Sequence, residues 1–72
     1  MVERFNELFT LHKDDYNLRC VVSMVSHRKT SLEVYKLGYD MPFIDLKHDN
    51  IYALYLQAYR ELEKYINNTT LS

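Results

Sequence analysis

Seventy-two residues, 47% of them apolar and 14% aromatic, are enough for one folded domain and too few for two. Ten acidic against nine basic side chains leave a net charge of -1, which excludes a basic nucleic-acid sleeve and an acidic mimic of DNA. No apolar run approaches the roughly 18 residues of a membrane span, and the opening MVERFNELF lacks the basic-then-apolar order of an export leader, so a cytoplasmic protein is expected.

In residues 2–13, Val2, Phe5, Phe9 and His12 fall on one stripe with Leu8 beside it, and the spacing predicts a first helix. Leu18, Val21, Val22 and Val25 follow at i, i+3, i+4 and i+7. Asp14 and Asp15 precede them and His27, Arg28 and Lys29 come after, charges that suit the two ends of a second helix. The same stretch also alternates through Leu18, Cys20, Val22 and Met24, as a β-branched strand would. Thr30-Ser31-Leu32-Glu33 has the form of a capping box, and Gly38 can end a short third helix over 31–37. Residues 39–48 read as a connector in which Pro42 allows one helical turn.

The most legible element spans Asp49 to Asn67. Leu54, Tyr65, Ala58, Ile51, Leu62, Tyr55, Ile66, Tyr59 and Tyr52 share an arc of about 160° on a helical wheel. Asp49 is the expected N-cap. Leu56 departs from this pattern, because it points near the polar side. Tyr52, Leu56, Tyr59 and Glu63 therefore form the expected contact strip for a partner.

One glycine is few for a sheet of several hairpins, whose tight turns call for positive φ. The expected fold is thus an all-α bundle of about four short helices with a long C-terminal amphipathic helix. It forms one domain over 1–68, with 69–72 a frayed polar tail. The alternative is α+β, with 17–26 and 31–37 as a β-hairpin packed on the last helix. Two N-x-T triplets in the tail are chance matches in a chain expected to stay inside the cell.

Chemistry is hard to place on this chain. Cys20 is the only cysteine, which rules out an internal disulfide, and in RCVVSMV it reads as a small buried hydrophobe. His12, His27 and His48 lack ligand spacing, and each adjoins a Lys or Arg, so no metal is expected. No phosphate loop, dinucleotide fingerprint or zinc-protease motif occurs, and Asp14–Asp15 reads as end-capping charge. The expectation is a protein that is not an enzyme, has no cofactor and takes no small-molecule substrate.

A weak helix-turn-helix spacing joins Val34, Leu37, Gly38 and Ile44, but Glu33 and Lys47 fall at its inward positions. Its second helix would offer a single cation. Arg19, His27, Arg28 and Lys29 could add a small positive edge for nucleic acid or an acidic partner. A DNA-binding regulator is accordingly the second choice. The first is a small interaction or regulatory protein (an inhibitor, adaptor or accessory subunit) that binds another protein or forms a homodimer. Abundant Tyr, Asn and Lys, with scarce Gly, Ala and Pro, suggest an AT-rich coding source such as a bacterium or phage.

Overall fold

The structure, a computed structural model, describes residues 2–71, with side chains through Thr69. Its elements are α1 (Val2–Tyr16), β1 (Leu18–Met24), β2 (Thr30–Lys36), β3 (Ile44–His48) and α2 (Ile51–Leu71). The strands form one antiparallel sheet in the order β1-β2-β3. Both helices pack on the same face, α1 beside β1 and α2 over β2 and β3. The fold is α+β. That corrects the all-α bundle of four helices, since the second and third expected helices are β1 and β2.

The correction has a local cause. In β2, Leu32 and Val34 are fully buried and alternate with Glu33 and Tyr35, a period of two that the capping-box pattern had masked. Thr30 and Glu33 stand on opposite faces of the strand, where they cannot cap one helix. The same alternation puts Leu18, Cys20 and Val22 of β1 on the inner face. Each is paired across the sheet, Cys20 with Val34 and Val22 with Leu32. The supposed connector supplies β3, with Ile44 opposite Val34 and Leu46 opposite Leu32. The hairpin alternative describes residues 18–36 and omits this third strand.

The glycine count misled because the β1–β2 turn needs no positive φ. Its closure comes from the Val25 N–H donating to the Lys29 carbonyl at 2.8 Å and the Lys29 N–H donating to the Ser26 carbonyl at 3.4 Å. Among the described residues only Asn17 (φ 55°) and Gly38 (φ 91°) are left-handed. Asn17 ends α1 and turns the chain directly into β1, a position that tolerates Asn because its short polar side chain eases the αL strain. Gly38 serves the β2–β3 loop.

On α2, Leu54, Ala58 and Leu62 are fully buried and Ile66 nearly so, one i, i+4 stripe facing the sheet. Each large apolar side chain sealed this way stabilises the fold by about 1.5–3 kcal/mol. Phe5 of α1 is its counterpart, set edge-on to Tyr55 at 5.5 Å and stacked on Phe9 at 6.1 Å. The N-cap is Asn50, not Asp49: its Oδ1 accepts from the N–H groups of Tyr52 at 2.8 Å and Ala53 at 3.2 Å. Helical backbone continues through 69–71, the expected tail, while Ser72 lies outside the described residues. Among the described residues, no helix is long and apolar enough to cross a membrane.

Candidate functional site

The helices do not cover the sheet evenly. Along the inner face of β1, exposure rises from 9% at Leu18, under α1, to 45% at Val22 and 73% at Met24. Val25 beyond the strand is 55% exposed, and Val21 on the outer face is also exposed. A run of β-branched and apolar side chains therefore stands in water along one margin of the sheet.

That margin is also a free edge. The Leu37 N–H donates to the Asn17 carbonyl at 2.9 Å at one end of the β1–β2 ladder, and the Val25 N–H reaches Lys29 at the other. Hydrogen-bonded pairs alternate with non-bonded ones in an antiparallel ladder, so the odd-numbered residues of β1 bond to β2. The N–H and C=O groups of Leu18, Cys20, Val22 and Met24 point away from β2. They form a template for an added strand.

The chemistry near this edge is quiet. Burial pushes the Cys20 thiol up to about 11, so at neutral pH it is a protonated, half-buried packing group. Burial likewise raises Tyr55, which packs against the core. On the outer face the Arg19 guanidinium lies 4.9 Å from the Tyr35 ring centre, and the Tyr35 hydroxyl donates to Glu33 Oε2 at 3.1 Å. Partial desolvation, then that carboxylate, raises Tyr35 as well. Among the described residues, no three His, Cys, Asp or Glu side chains converge as metal ligands. A cleft of about 420 Å³ opens where α1 meets β1, with Lys13, Arg19 and Lys36 along it and Asp14 among them.

The residues expected to act are dispersed. Tyr52 is 63% exposed and Glu63 is exposed, but Leu56 and Tyr59 are half-buried. Tyr59 is partly spent on the fold, since it packs against the core and walls a shallow furrow with Arg4, Leu8 and Leu11 of α1. Arg19 does not join His27, Arg28 and Lys29 in one edge: it sits at the start of β1 and they form the turn beyond its end, roughly 20 Å away at the rise of a strand. Val34, Gly38 and Ile44 belong to β2, its loop and β3, so no helix-turn-helix forms there. Val21, Val22, Met24 and Val25 were overlooked as surface. Their signal was the Leu18–Cys20–Val22–Met24 alternation extended over more apolar residues than one small inner face can cover. Comparison with protein-family models, with curated proteins and with solved structures finds no match to this chain.

Proposed function

We propose that this chain is a small protein-binding module of the interaction or regulatory kind, working without chemistry of its own, and that it receives its partner on the β1 edge. One observation carries this: β1 combines outward-facing backbone groups with exposed Val22, Met24 and Val25, so an added strand would gain hydrogen bonds and apolar burial together. Exposed Ile51 and Tyr52 stand at the same end of the sheet but beyond β3: they follow His48, which pairs with Thr30, itself opposite Met24. Tyr52, Leu56, Tyr59 and Glu63 lie on α2, which packs over β2 and β3, so this contact does not centre on them. The cytoplasm is the compartment that suits a chain with one unpaired thiol.

A photo-cross-linking side chain placed at Val22 tests the proposal in cells, with the same group at Lys47 on β3 as the control. A discrete polypeptide adduct from position 22 and none from position 47 is the expected result. Equal labelling from both positions, or none from position 22, contradicts it.

A further inference from the structure

We infer that the occupant of the β1 edge is β1 of a second copy, antiparallel about a two-fold axis at Val21; this rests on the contact surface proposed above. Val21 is the midpoint of Leu18–Met24, so this register overlaps the two strands end to end. Leu18 faces the second copy's Met24 and Cys20 faces its Val22, through the groups that point away from β2. Roughly eight backbone hydrogen bonds close in that register. The inner-face pairs are all apolar, and each α1, which covers Leu18, ends beside the second copy's Met24.

Charge favours this occupant and this direction. On the outer face Arg19 meets Ser23 and Val21 meets Val21, so no like charges oppose each other across the axis. A parallel pairing would set Arg19 on Arg19 and one basic turn on the other. The antiparallel one carries His27, Arg28 and Lys29 to the end where Asp14 and Asp15 close α1 of the second copy. That helix end carries Asp14 and Asp15 with Lys13 beside them, and Lys36 and Arg19 line the cleft next to Asp14, Arg19 being turned onto Tyr35. β3 lacks these features, since its outward positions are Asp45 and Lys47.

The test uses the full purified chain, in light scattering coupled to size exclusion and in oxidative cross-linking of Val21→Cys in a Cys20→Ser background. A non-bonded antiparallel pair holds its Cα atoms ~4.5 Å apart, within the disulfide range of ~4.4–6.8 Å. The expected results are a species of twice the 8.7 kDa chain mass, a disulfide-linked dimer from Val21→Cys and none from Lys47→Cys. Met24→Lys should weaken association by at least ~10-fold. Asp14→Asn with Asp15→Asn should weaken it by about 3-fold at low salt and less at high salt. A chain that remains monomeric up to ~1 mM, or a dimer that survives Met24→Lys and fails to cross-link through Val21→Cys, overturns the inference. A monomer that still gives a Val22 adduct with another polypeptide removes only self-pairing. A monomer without that adduct removes the protein-binding proposal too.

Discussion

At the β3 edge the outward-facing backbone belongs to Asp45 and Lys47, whereas at the β1 edge it belongs to Leu18, Cys20, Val22 and Met24. β3 is five residues long, lies under α2 and carries a charge at each outward position, three devices that discourage a further strand. β1 is seven residues long, has Arg19 as its only charge, and passes out from under α1 after Cys20. Both edges border the same central strand, so their difference does not come from the core. It comes from which side chains alternate with the buried ones and how far a helix reaches over them.

The row Val22–Leu32–Leu46 crosses the sheet from one edge to the other and gives the sharpest contrast. Leu32→Ala should cost about 2–5 kcal/mol in a urea melt, a large share of the about 4–11 kcal/mol a chain of this length can hold. Val22→Ala in the same row should cost about 1 kcal/mol or less, because water already reaches that position. Equal losses would show Val22 to be a core residue and would break the comparison.

Next in size is the cap of the helix that shields β3. Asn50→Ala should cost about 1 kcal/mol and Asp49→Ala no more than about half of that. The two melts decide which residue closes α2.

The β1 side can be read through pH. The Cys20 pKa is raised in the folded state, so its contribution is fully present below the unfolded value near 9.0 and is lost as pH rises toward about 11. Melts across that window should show falling stability. Cys20→Ala should remove part of the slope, the raised Tyr35 and Tyr55 hydroxyls keeping the rest. An unchanged slope would mean that Cys20 is not desolvated at the edge.

The smallest effect lies toward β3. Glu33 stands directly opposite Asp45 across the β2–β3 pair, and like charges so placed destabilise. Asp45→Thr should therefore stabilise the fold by about 0.2–1 kcal/mol. It would also discharge half of the β3 edge, so a new tendency to associate through β3 should accompany the gain.

The two helices and the apolar arc of α2 were legible because a period near 3.6 sustained over several turns has no other reading. The sheet was not. Leu18, Val21, Val22 and Val25 fit a helix face as well as Leu18, Cys20 and Val22 fit a strand, and the end charges of Asp14, Asp15, Arg28 and Lys29 tilted the choice. What decided between them was the pairing of β1 and β3 with β2, a long-range fact that a local window does not contain. The β1–β2 turn closed on Ser26 to Lys29 without a glycine, which removed the argument against strands. Of the expected strip, Tyr52 and Glu63 are exposed whereas Leu56 and Tyr59 are half-buried, a difference that the helical wheel alone does not show. The exposed end of β1 stayed hidden because a chain expected to bury its valines inside a bundle offers no edge to leave uncovered.

Amide hydrogen exchange on the purified chain, followed residue by residue at low and high protein concentration, addresses the β1 edge most directly. The N–H groups of Cys20, Val22 and Met24 should exchange freely in dilute solution and become protected as concentration rises, while those of Asp45 and Lys47 exchange freely throughout. Protection at Cys20, Val22 and Met24 that does not change with concentration, or that changes equally at Asp45 and Lys47, would contradict a β1 edge built to pair with its own copy.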